Sequence, residues 1–159
     1  MLWIFSIVSF FITEPNLSQI RETYRSALTN ESSVNTLIEI TQPHVNQNAS
    51  SRAFYATAKA LEARNSSWVS TKVSSAKIAY NQLNTSVLKS PNDGEIRFLR
   101  FSFESNTPSL LGMKAHLKED KAFLIKNIKS TEPLWSVMKA FFSNCSDLSP
   151  SEKKSLITR

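Results

Sequence analysis

Only two glycines, Gly94 and Gly112, occur in 159 residues. An average chain carries roughly 7% glycine. Glycine supplies the positive φ of tight hairpins and the close backbone approach of phosphate-cradling loops. A chain this poor in it is not built from a succession of short β-hairpins, and it offers no glycine-rich nucleotide loop. Alanine, leucine, serine and lysine are plentiful instead. The expected fold class is all-α, with antiparallel helical hairpins stacked as a bundle. An apolar share of 41% and a charged share of 20% rule out a disordered chain, and the length suits one domain with a sizeable core.

The chain opens on "MLWIFSIVSFFITEPN", apolar from Leu2 to Ile12 except for Ser6 and Ser9. That run falls short of the roughly 20 residues of a transmembrane helix and matches the hydrophobic region of a secretory leader. It lacks a preceding Lys or Arg and an Ala-x-Ala site. Residues 1–13 read as a signal peptide or an apolar N-terminal helix, and 14–159 as a single α-helical domain. The expected location is periplasmic or secreted, with a cytoplasmic protein as the alternative. Membrane contact is expected only through this segment, if it stays uncleaved.

Beyond Pro15 the chain breaks into helix-sized blocks. In "LSQIRETYRSALTN", with Asn16 or Ser18 as cap, Leu17, Ile20, Tyr24, Ala27 and Leu28 recur at helical spacing. "NESSVNTLIEIT" follows, with Ser33 as its expected cap, and "QPHVNQNAS" is a loop. "SSRAFYATAKALEARN" carries a face of small residues, Ala53, Ala56, Ala60 and Ala63, against which another helix can lie close. A long helix is expected from about Ser66 to Leu88, with Trp68 among its apolar positions. Asp93 is placed to cap the next helix, and "NTPSLLGMKAH" connects onward. Two helices, "KEDKAFLIKNIKS" and "TEPLWSVMKAFFSN", close the chain, the second starting at Thr131 and Pro133. In a last short one, Ser149, Pro150 and Glu152 fit the cap, first position and early acid.

The segment from Ser75 to Phe103 resembles the helix–turn–helix junction of tetratricopeptide repeats, since Ala76, Tyr80 and Leu83 precede the proline–asparagine turn of "SPND". No second copy occurs at a 34-residue period, so the resemblance implies a divergent, repeat-like bundle. More broadly, the apolar leader, "LSQIRETYRSAL", "EIRFLRF…TPSLLG" and "KEDKAFLI" resemble a group of small uncharacterised exported proteins of Bacteroidetes. That resemblance implies export and a helical fold and carries no catalytic residue with it.

The chemistry-bearing patterns are few. No P-loop, GxGxxG, HExxH, GxSxG or calcium-binding EF-hand pattern occurs. The single cysteine, Cys145, excludes an intramolecular disulfide and reads as a packing residue or loop thiol. His44 and His116 are too few for a histidine-based metal site. His116 with Asp120 reads as a surface hydrogen bond, and Glu119 and Asp120 as neighbours pointing apart on a helix. No cofactor or metal is expected. The net charge of +6 would suit an anionic partner. Its densest cluster, Lys114, Lys118, Lys121, Lys126 and Lys129, spreads around a helix as a solvated face. Phe98, Phe101 and Phe103, with Trp68 and Trp135, read as core rather than as stacking platforms, so nucleic acid is not an expected partner. Six Asn-x-Ser/Thr triplets, at Asn16, Asn30, Asn48, Asn65, Asn84 and Asn144, are put down to the abundance of Asn and Ser.

The most informative stretch is "SPNDGEIRFLRFSFESNTPSLLG". As a helix it places Ile96, Leu99 and Phe103 on one side and Phe98, Phe101 and Ser105 on another. Arg97, Arg100 and Glu104 form a narrow stripe between them, with Arg100 and Glu104 spaced to pair. A helix apolar on two faces is sandwiched between neighbours, and its arginines either pair with acids across the seam or line a groove. These three residues are the candidate partner-binding positions. The function that follows is a non-catalytic helical binding or scaffold module for a protein or peptide. A helical enzyme or lipid-binding bundle, and a basic cytoplasmic nucleic-acid binder, are the alternatives.

Overall fold

The computed structural model describes residues 16–158, so the expectations for the leader at 1–13 fall outside the described residues. Among the described residues there are eight α-helices and no strand, and the domain is all-α. The helices are α1 (Leu17–Ala27), α2 (Glu31–Thr41), α3 (Ala49–Asn65), α4 (Val69–Lys89), α5 (Gly94–Asn106), α6 (Leu117–Asn127), α7 (Trp135–Asn144) and α8 (Pro150–Ile157). Short 3₁₀ turns occupy Gln42–His44 and Ser109–Leu111. None of these helices is long and apolar enough to cross a membrane.

Asparagine starts three of the helices. The side-chain oxygens of Asn16, Asn30 and Asn48 accept the backbone N–H of Ser18, Ser32 and Ser50, at 2.9, 3.0 and 2.8 Å. Each occupies otherwise orphaned donors of the first turn. The serine of each of these three Asn-x-Ser triplets is therefore simply the residue whose N–H the cap receives. The cap of α2 is Asn30 and not Ser33, because the extended backbone at Asn30 already launches the helix. Asp93 caps α5 through Ile96 N at 3.0 Å, and Ser149 with Glu152 forms the full capping box of α8 behind Pro150.

Two further expected helix starts move. The long helix begins at Val69, since Trp68 is extended (φ −90, ψ 122) and its N–H is held by Ser66 Oγ at 3.1 Å. From that position the Trp68 ring leaves the apolar face and is 75% exposed, so it is not a core residue. Likewise α7 begins at Trp135, because Glu132 and Trp135 N–H groups close turns onto Lys129 and Glu132 carbonyls. Both glycines answer to local geometry. Gly112 sits at φ +66 in the left-handed region, and a Cβ on Gly94 would stand 3.0 Å from Ile128 Cδ1.

α5 is the centre of the domain. Glu95 through Phe101, with Phe103 and Glu104, are all buried. Phe98 meets Phe141 and Phe142 of α7 edge-on at 5.6 and 5.7 Å, while Phe103 faces Tyr80 of α4 at 6.4 Å. The two apolar faces expected from the sequence thus pack in different directions. Such edge-to-face pairs add about 0.5–1.5 kcal/mol beyond burial. On α3, Ala53 and Ala56 are fully buried and α4 lies against the same helix. Arg21 of α1 closes the far end of α5, donating from Nε and Nη2 to the two oxygens of Glu95 at 2.8 and 3.0 Å.

Candidate functional site

The charged stripe of α5 faces α6. Arg100 grips Asp120 with two parallel bonds, Nε to Oδ2 at 2.6 Å and Nη2 to Oδ1 at 2.8 Å. Arg97 Nη1 reaches the same Oδ1 at 2.7 Å and also bonds Glu119. Its Nε donates to the Pro91 carbonyl at 2.8 Å, and its guanidinium lies over the Phe123 ring, 4.9 Å from the centroid. Asp120 is wholly buried and both arginines nearly so. Two acids in the first turn of α6 also suit the positive end of that helix.

Glu104 does not pair with Arg100. It is wholly buried and binds His116 twice, Oε2 accepting the backbone N–H and Oε1 meeting Nδ1, both at 2.9 Å. That contact starts α6, since His116 occupies its N-cap position without using its own side chain as a cap. The His116 side chain is therefore joined to Glu104 and not to Asp120. Glu119 and Asp120, expected to point apart, converge on the arginine pair: Asp120 faces α5 directly and the longer Glu119 chain reaches around the turn. Arg97, Arg100 and Glu104 are brought together as the seam that ties α5 to α6. Among the described residues no group of His, Cys, Asp and Glu could hold a metal.

The hydrogen bond from Arg97 holds the Glu119 carboxyl below its ordinary value of 4.5. A depressed folded value contributes stability that is complete above the unfolded value and is lost as pH falls through the folded one. The Glu119 side chain is 57% exposed, so solvent screening limits its contribution to below about 1 kcal/mol. Glu119→Gln is expected to flatten the acid limb of the stability curve. Urea midpoints taken at about pH 6 and about pH 3 measure it, and an unchanged acid limb would remove Glu119 from the seam's energetics.

On the other side of α5 the helices leave a groove of about 950 Å³. Its floor is Leu61 of α3 with Phe98, Leu99 and Phe103 of α5, and Tyr24 and Leu28 of α1 close one end. Val137, Ala140 and Phe141 of α7 form a wall, and Pro108 with Leu111 of the connector borders it. Ala60, Ala63 and Ala76 keep the α3–α4 side low. Burial, with the nearby Glu95 charge, pushes the Tyr24 hydroxyl upward from its ordinary value, so this end of the groove holds a neutral phenol. Arg25, Arg64 and Lys72 also line the groove, with no acid beside them among the described lining residues. The candidates Arg97, Arg100 and Glu104 are not among them.

The groove is not legible in the sequence, because its helical apolar residues sit at positions that read as core. Its one visible signal is the alanine face of α3, two members of which, Ala60 and Ala63, line the groove. A scan against protein-family models finds no matching family, and searches of curated proteins and of solved structures find no match.

Proposed function

We propose that this domain is a non-catalytic binding module that receives a helix of a protein partner in the groove of α1, α3, α4, α5 and α7. The observation that carries this reading is an apolar groove of about 950 Å³ bordered by five helices. Binding sites are concave, mostly apolar and of about 300–1,000 Å³. An amphipathic helix laid into an apolar groove is a common recognition mode. Small residues at Ala60, Ala63, Ala76 and Ala140 favour a helical occupant, since interaxial distance is set by the side chains at the contact. In this reading Arg97, Arg100 and Glu104 act from behind: they fix α5 to α6 while its other face presents Phe98, Leu99 and Phe103 to the partner. A helical enzyme or lipid carrier is less well supported, because Arg97, Arg100 and His116 do not line the groove. Export remains part of the proposal, on the strength of the apolar run Leu2–Ile12.

The test is a display library of helix-forming peptides of about 18 residues, long enough to hold a helix. It is selected on the full chain and counter-selected on Ala140→Trp. Ala140 is exposed on the groove wall, so a tryptophan there plugs the groove without entering the core. Selected peptides are expected to bind the parent chain and to lose at least about tenfold on the plugged variant, read by fluorescence anisotropy. If no peptide distinguishes the two proteins, the reading fails.

A further inference from the structure

We infer that the helix received by this groove is acidic, with an apolar face that fills the groove and flanking carboxylates that meet Arg64 and Lys72. The inference rests on the groove reading above and adds the charge of the partner. Complementary charge fixes partner choice and register more than it raises affinity.

Three bases and no acid line the groove among the described residues. Arg25 is already engaged, by Glu22 at 2.9 Å and by the Pro133 carbonyl at 2.6 Å. Arg64 and Lys72 differ. Arg64 bonds only the neutral oxygens of Asn65 and Leu28, each at 3.2 Å. Neither Arg64 nor Lys72 has an ion pair among the described residues, and both are exposed.

Their placement concentrates the effect. Arg64 belongs to the last turn of α3 and Lys72 to the first turn of α4. That first turn contains no acid and its cap residue contributes no side-chain bond, so the positive end of α4 is unanswered, while Arg64 stands at the negative end of α3. Several bases that face other helices are paired: Arg21 has Glu95, Arg97 and Arg100 have Asp120, and Lys121 has Glu152. At the α3–α4 corner Glu62 is taken by Lys59 and Ser75, and the groove-lining Arg64 and Lys72 have no acid of their own.

Exposed apolar residues also flank groove-lining positions along the chain. Trp68 and Val69, 75% and 74% exposed, stand one turn before Lys72, and Leu110, 97% exposed, adjoins the groove-lining Leu111. Exposed apolar residues beside a rim of bases mark an interaction surface, and tryptophan is enriched among binding hot spots. A partner helix long enough to pass over Trp68 would set its carboxylates beside Arg64 and Lys72.

The test takes the tightest peptide from the selection and exchanges its flanking Glu and Asp residues, first for Gln and then for Lys, leaving the apolar face unchanged. Each peptide is titrated onto the full chain and onto a double variant, Arg64→Ser with Lys72→Ser, whose positions are exposed. The Gln peptide is expected to bind the parent chain roughly fivefold more weakly, as two exposed ion pairs dictate, and the Lys peptide more weakly still. Both differences should vanish on the double variant and shrink at about 0.5 M salt. Trp68→Ala should weaken all three peptides alike. If the three peptides bind the parent chain equally, the acidic partner is overturned while the groove reading stands. The acidic partner is equally overturned if their differences persist on the double variant. If selection yields no peptide sensitive to Ala140→Trp, the groove has another occupant, such as the chain's own segment or a second copy, and both readings fall.

Discussion

Asp120→Ala is expected to destabilise the domain by about 3–5 kcal/mol, the usual cost of breaking a buried ion pair from one side. Among the described residues Asp120 is the only fully buried acid that Arg97 and Arg100 reach, and it takes three of their bonds. Without it Arg100 keeps a 3.8 Å approach to the exposed Glu119 and a long bond to Asn84 at 3.4 Å. Two guanidinium groups would then sit in the core with one half-solvated acid between them. Small domains have about 5–15 kcal/mol of stability in total, so the variant stands near the unfolding limit at physiological temperature. A urea titration followed by circular dichroism measures the loss. A triple variant with Arg97→Met, Arg100→Met and Asp120→Leu is expected to recover most of it, because buried ion clusters are often replaceable by apolar groups of similar volume. A cost below about 1 kcal/mol for Asp120→Ala would mean that the seam is idle.

Phe98→Ala is expected to cost about 3–5 kcal/mol, independently of the seam, as large-to-small core substitutions do. Phe98 is 1% exposed, and its ring carries α7 on α5 through Phe141 and Phe142. The same ring forms part of the groove floor. The variant therefore has two readouts: a lower urea midpoint, and weakened binding of every selected peptide whatever its charge. Phe98→Leu, which retains much of the volume, should be milder in both. If Phe98→Ala left the urea midpoint unchanged, α7 would not be resting on this ring.

Local rules written in consecutive residues are legible in the sequence. The doubly apolar pattern of α5 is visible in Ile96, Leu99 and Phe103 against Phe98 and Phe101, and both sides are packed in the structure. Asp93 and the Ser149–Pro150–Glu152 set announce their helices because a cap acts within three residues of itself. What is not legible depends on meetings at a distance. The partner of the two arginines is decided by how the connector 107–116 returns α6 to α5, and nothing in "KEDK" separates the carboxylate that turns inward from a solvated one. Periodicity places Trp68 in the core because it cannot register a helix that starts one residue later. The groove is hidden for a related reason: whether Leu61 or Phe141 ends under a neighbour or beside an opening depends on five helices at once.

α6 buries only Asp120 and Leu124 of its own residues, whereas α5 buries nine. Its attachment is ionic, through Asp120 and Glu119 to the arginines and through Lys121 to Glu152 of α8, as well as apolar, through Leu124 and the half-buried Leu117, Phe123 and Ile125. Local opening free energies follow the apolar contacts an element must give up, and for α6 that loss is smaller than for α5. The domain thus sets a segment held in good part by buried ion pairs against a centre held by packing.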